Sequence, residues 1–300
     1  MECSAFNMSK DSSAIVCVIK GGLGNQLFTY SAGYACARRT GRNYYVDPKR
    51  GFSHDTYGRS YRLDRFPISA RRMPEAWRVA PTLKHIRHKI IRAWNKRKPL
   101  NQRSYVAQRW DEGPEQLLRF KPEKKRVLLN GYWADEGYFK DYADGIRKEL
   151  KPPAPADELN QALGARLTAD PDLVFVHARR VRYPMLLPQA YYETAIAKVR
   201  SAIAEPRFVV FSDDMNWARE HLDFAGSPVE WMDHNQTDEL ADLWLMTRCR
   251  HAIIANSSFS WWGAWLGAPL STGRIICAPH SRDWLLDPAE GWERIPFVAQ

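Results

Sequence analysis

The segment Lys151-Pro152-Pro153-Ala154-Pro155 constrains the fold most, because closely spaced prolines lack the backbone donors that a helix or central strand requires. Beyond it, helical patterns alternate with short apolar runs. Helices are expected at 156–167, 189–203, 237–247 and 258–266, and strands at 173–178, 207–212, 229–231, 251–255 and 274–278. Such alternation predicts a parallel sheet covered on both faces by helices, with ligands held beyond the carboxyl ends of the strands. The stretch before the prolines starts in the same way. An apolar run at 14–20 breaks at Gly21-Gly22, a helical pattern fills 25–39, and a strand at 43–46 ends at Asp47-Pro48. After an irregular middle, a strand at 126–130 leads into Gly131-Tyr132-Trp133 and a helix near 142–150. A chain of 300 residues exceeds what one core usually organises. Two Rossmann-like domains are therefore expected, at 1–155 and 156–300.

The charge balance is basic, with 44 Lys plus Arg against 34 Asp plus Glu, which favours anionic partners. Much of the excess lies between 51 and 125. There Leu83, Ile86, Ile90 and Trp94 share one helical face, and Lys84, Arg87, Lys89, Arg92, Lys96, Arg97 and Lys98 surround it without an acidic residue. A solvated helix packed on its own domain fits this pattern, as does a helix docked on an anionic membrane. Nucleic acid would use the same charge, but no nucleic-acid module is recognisable, so none is expected as a partner. The cysteines (Cys3, Cys17, Cys36, Cys249, Cys277) are odd in number, form no C-x-x-C pair and fall largely in apolar stretches, which predicts buried thiols rather than disulfides or zinc. The first residues lack the order of a secretory signal, and no run approaches the ~20 apolar residues of a membrane span. A cytoplasmic protein is expected, peripheral at the inner face of the membrane if the basic segment docks there.

Polar residues placed directly after predicted strands mark where chemistry can occur. Gly21-Gly22-Leu23-Gly24-Asn25-Gln26 would let the backbone approach a ligand at a helix N-terminus, although it lacks the form of a nucleotide-hydrolase loop. In His177-Ala178-Arg179-Arg180, His177 and Arg179 share a strand face, and adjacent guanidiniums leaving a buried strand call for an anion or a salt bridge. Ser212-Asp213-Asp214 could accept hydrogen bonds from a purine or ribose, hold a divalent metal, or cap a helix. Asn256-Ser257-Ser258-Phe259-Ser260 offers hydroxyls and free N–H groups at a helix start, suited to phosphate. The adjoining Trp261, Trp262 and Trp265 read as core in preference to a sugar platform.

With these segments in view, the chain resembles the bacterial α-1,2-fucosyltransferase family over nearly its whole length. The resemblance rests on the motifs already quoted, together with Tyr138-Phe139, Asp242-Leu243-Trp244-Leu245-Met246 and the run from Ile254 to Leu266. It implies a GT-B fold, inverting transfer of fucose from GDP-fucose to a galactoside or lipid-linked glycan, and no metal or cofactor. It implies that Arg179 and Arg180 grip the departing diphosphate. By the same resemblance, His177 and Asp213 would lie near the nucleoside and Ser257 and Ser258 near the phosphates, with Gly24 and Asn256 also binding donor. Asn25 and Gln26 would face the reacting centre, with Gln26, Tyr132, Trp133 and Arg182 on the acceptor. The family usually continues Gly-Asp-Tyr after the arginines, where this chain has Val181-Arg182-Tyr183. That exchange implies either an anionic acceptor paired with Arg182 or a loss of ordinary α-1,2 transfer. His54, Asp55, Asp135 and Glu136 are the candidate bases, as titratable groups of the acceptor domain. Metal-dependent transfer through Asp213 and Asp214 is the competing mechanism, and GDP-mannose the competing donor.

Overall fold

The structure, a computed structural model, describes residues 13–78, 93–95, 97–109, 113–181, 185–267, 273–281 and 286–297. The first sheet is parallel and five-stranded. In chain order it comprises β1 (Ala14–Val18), β2 (Asn43–Asp47), β3 (Arg71–Arg72), β4 (Tyr105–Ala107) and β5 (Arg126–Asn130), in the spatial order β3-β2-β1-β5-β4. β1 lies between β2 and β5 and is buried along its whole length, as its unbroken apolar sequence requires. Helix α1 (Leu23–Thr40) follows β1 and covers the sheet. Two shorter helices, α2 (Glu115–Leu118) and α3 (Ala143–Glu149), also belong to this half.

The second sheet is parallel and six-stranded, ordered β11-β10-β9-β6-β7-β8. Its strands are β6 (Leu173–Ala178), β7 (Arg207–Ser212), β8 (Val229–Met232), β9 (His251–Ile253), β10 (Ile276–His280) and β11 (Glu293–Pro296). Helix α4 (Glu158–Ala169) precedes β6, and the helices between the strands are α5 (Gln189–Ala202), α6 (Met215–His221), α7 (Glu239–Met246) and α8 (Ser258–Trp265). Strand order reverses between β1 and β5 in the first sheet and between β6 and β9 in the second. Chain leaving the strands at a reversal diverges to opposite faces and opens a crevice there. The architecture is that of two Rossmann-like sheets facing across a cleft, the GT-B arrangement expected from the sequence.

Behind the cleft the halves are joined by α1 and α8. Phe28 of α1 sits 4.6 Å from the ring of Trp261 and 5.0 Å from that of Trp262, and Phe139 stacks on Trp262 at 5.6 Å. All four rings are buried, and one continuous apolar cluster runs through both halves. The helix starts touch backbone to backbone: a Cβ on Gly24 would lie 2.4 Å from the carbonyl carbon of Ser258. Only glycine fits there. The tryptophan cluster is core, and its particular use is to join the two halves. Cys17, Cys36, Cys249 and Cys277 are buried free thiols.

Several expected boundaries hold, those of β5, β6 and β7 to the residue. The structure adds β3, β4, α2, α6 and β11, and starts the last predicted strand two residues later, at Ile276. Most of the basic stretch 83–98 lies outside the described residues. Trp94, expected on its apolar face, is 66% exposed.

Candidate functional site

The loops after β1, β5, β6, β7, β8 and β9 line one cleft of about 970 Å³ between the halves. It lies where the two strand-order reversals face each other.

On the first-half wall, the turn after β1 is made at Gly21, whose φ of 78° is readily adopted by glycine. Gln26, expected to touch acceptor, lines the cleft but is 1% exposed and hydrogen-bonded to backbone. Its Nε2 donates to the carbonyls of Gly21 (2.9 Å) and Ser60 (2.8 Å), and its Oε1 accepts from the Arg62 amide (2.9 Å). It bolts the glycine turn to a rim formed by residues 57–62. That rim is braced by Asp55, which accepts from the amides of Tyr57 and Arg59, while the Arg59 guanidinium lies 4.3 Å from the Tyr57 ring. Asn25 and Tyr132 line the cleft as expected, the latter beneath the Lys20 ammonium at 4.7 Å. Trp133 does not. It is 4% exposed, has a φ of 53° and meets Tyr138 edge-on, so it belongs to the core. Among the described residues, this wall contributes arginines but no carboxylate to the lining.

On the second-half wall, His177 and Arg179 both enter the cleft. Burial, with a lesser push from the Arg179 charge, lowers the His177 pKa to about 3, so the ring is neutral. Its Nδ1 is buried without a hydrogen-bond partner among the described residues. The Arg179 guanidinium is held by Asp213 at 2.6 Å and stays one-third exposed. Asp213 also accepts from the amides of Arg180 (2.7 Å) and Val181 (3.1 Å). Its oxygens thus organise the arginine loop, which leaves little capacity for a nucleoside or metal. Asp214 caps α6 by accepting from the Trp217 amide, the bland alternative of the sequence.

Arg180 departs from expectation. Its guanidinium stacks 3.7 Å over Trp217 and donates to the Leu187 carbonyl (2.8 Å), away from the cleft lining. Neighbouring residues in extended chain point to opposite sides, so a pair of arginines need not converge. Arg182 lies outside the described residues, with the Tyr183 that follows it. Asn256 is fully buried and donates to the Met185 carbonyl (2.6 Å), securing the loop before α5 from within. Ser257 caps α8, and Ser260 is buried against Ser257 and Ala255. Ser257 and Ser258 line the cleft beside Gly24.

Glu239 and Asp242 were not singled out as site residues, although Asp242 opens a quoted motif. They stand at i and i+3 in the first turns of α7, so both project into the cleft. Two carboxylates at that spacing beyond a strand were the available signal. Asp242 accepts from Asn235 Nδ2 (3.0 Å), and burial outweighs that bond to raise its pKa to about 7. Burial also raises Glu239, against the Arg62 guanidinium, which reaches it from the first half at 3.3 Å. None of His54, Asp55, Asp135 and Glu136 lines the cleft. Asp135 caps the Gly137 amide, and Glu136 accepts from Trp265 Nε1 and the Glu290 amide. Among the described residues no three His, Cys, Asp or Glu gather as metal ligands, and no helix is long and apolar enough to cross a membrane.

Residues 14–281 match glycosyl transferase family 11. An alpha-1,2-colitosyltransferase of Escherichia coli is 31% identical over 85% of this chain and 88% of its own length. The O-antigen biosynthesis glycosyltransferase WbnK of the same organism is 30% identical over 89% and 93%. Among solved structures, the NodZ alpha-1,6-fucosyltransferase from Bradyrhizobium co-crystallised with GDP superposes with a TM-score of 0.50 at 15% identity, over 85% of this chain and 93% of that one.

Proposed function

Because the chain belongs to glycosyltransferase family 11, we propose that it transfers L-fucose from GDP-fucose to a galactoside hydroxyl, in α-1,2 linkage, with inversion and without a metal or cofactor. The observation that carries this is Arg179, a guanidinium fixed by Asp213 and directed into the cleft at the strand-order reversal. Departure of the nucleotide leaves growing negative charge on the diphosphate, and a preorganised cation stabilises that charge more in the transition state than before it. Ser257, Ser258 and the start of α8 face the phosphates from the other side. Asp213 and Asp214 are engaged by Arg179 and by backbone amides, which argues against a metal at that point. A purine with N–H donors finds its acceptor in Asp242, with neutral His177 nearby. Asn25 and Tyr132 contact the acceptor side. Arg180 supports the loop that carries Arg179.

A colitosyl donor is the second reading, favoured by the colitosyltransferase relative. Incubation with GDP-fucose, GDP-colitose or GDP-mannose and a panel of neutral and acidic galactosides, in excess chelator, followed by product mass, decides among these. Transfer from GDP-fucose in chelator is expected, and a requirement for added divalent metal would refute the mechanism. A cytoplasmic placement with peripheral membrane contact through 83–98 is part of the same reading. Liposome sedimentation at low salt tests it, and failure to sediment with anionic vesicles removes it.

A further inference from the structure

Bond formation at an acceptor hydroxyl releases a proton, which a positioned base accepts. The first-half wall offers neither carboxylate nor histidine to the cleft among the described residues, so the base comes from the second half. Four carboxylates line the cleft there. Asp213 already holds the Arg179 guanidinium and two amides. Asp233 is paired with Arg219 at 2.9 Å, both half exposed. Asp242 is held by Asn235, one turn further along α7. Among the described residues, Glu239 alone of the four is paired with a side chain of the opposite wall. Its Oε1 lies 3.3 Å from Nε of Arg62, whose backbone amide is pinned by Gln26. The Arg179 charge acts on the same carboxylate from the donor side.

We propose that Glu239 is the general base of transfer, a role that rests on the donor and acceptor assignment above. The acceptor oxygen bonds to the anomeric carbon and its proton passes to the Glu239 carboxylate. The bond from that carbon to the diphosphate oxygen breaks, and its electron pair leaves on the diphosphate beside Arg179. The carboxyl then returns the proton to solvent through the open cleft. Burial acts most strongly on the ionisation of Glu239, and three charges modulate it. Arg62 and Arg179 favour the carboxylate, and Asp238 opposes it together with burial.

Glu239→Gln keeps the shape and removes the proton acceptor. Its kcat is expected to fall about 10²- to 10⁴-fold, with GDP affinity by calorimetry within about threefold of the parent and the acid limb of the kcat/KM profile abolished. Added formate should restore turnover to Glu239→Ala. Arg62→Ala distinguishes a base from a fastener. It should retain more kcat than Glu239→Gln and move the acid limb to higher pH, since the lost cation no longer favours the carboxylate. The proposal is overturned if Glu239→Gln keeps more than about a tenth of the parental kcat. It is equally overturned if Arg62→Ala reproduces the full loss with the acid limb unmoved. Failure of the underlying donor assignment would show differently, as a parent protein that neither binds GDP nor transfers from any GDP-sugar.

Discussion

Asp242→Asn should make the protein more stable while weakening its hold on donor, and the stability gain should depend on pH in a set direction. The carboxyl carries a pKa of about 7 in the fold against 3.8 unfolded. Between those values the folded chain retains a proton that the unfolded chain has lost, so this group's contribution to stability falls as pH rises from about 4 to 7. Above that range both forms are ionised and the loss is complete. Roughly three pKa units at about 1.36 kcal/mol each set a ceiling of about 4 kcal/mol. Partial exposure of the side chain reduces this to about 1–3 kcal/mol. Asparagine keeps the Oδ1 acceptor for Asn235 Nδ2 and has no charge to bury. Urea midpoints of the parent and the variant at pH 4.5, 6 and 8 should therefore diverge with pH and level off above 7. GDP affinity should drop about 10- to 100-fold, the effect of losing hydrogen bonds to a charged acceptor. A stability difference that is the same at pH 5 and pH 8 would refute the reasoning.

Arg179→Ala should lower kcat at least ~100-fold, the size expected for one donor aimed at transition-state charge, and steady-state rates at saturating donor check it. Arg180→Ala should act on stability, by about 1–3 kcal/mol in chemical denaturation, through its stack on Trp217 and its bond to Leu187. Its GDP affinity should stay within about threefold of the parent. Gly24→Ala drives a methyl into the start of α8, and a cost of about 1–3 kcal/mol is expected as a lowered thermal midpoint.

Much of the architecture was legible because buried parallel strands are written as unbroken apolar runs, as in β6 and β7. Elements without that signature escaped. β4 has three residues, β11 reads Glu-Arg-Ile-Pro, and α6 is a seven-residue helix whose sign was the Asp214 cap. The site was legible as a set of loops, less so as a set of side chains. Sequence order shows that Arg179 and Arg180 both follow β6, but not that one enters the cleft while the other lies on Trp217. Motif position marks Gln26, Trp133, Asp213 and Asn256 alike, yet Trp133 and Asn256 are buried away from the cleft, whereas Gln26 and Asp213 line it while bonded to protein groups. Glu239 and the 57–62 rim depend on a meeting of elements far apart in the chain, which no local pattern records.

The join between α1 and α8 bears on how such proteins could be recombined. Phe28 and Phe139 come from one side of the proline segment, and Trp261 and Trp262 from the other. A chimera spliced at that segment would inherit a second half whose indole surface was shaped for another partner's phenylalanines. Specificity can then be swapped by grafting loops onto an intact frame, whereas exchanging whole halves requires both faces of the joint to travel together.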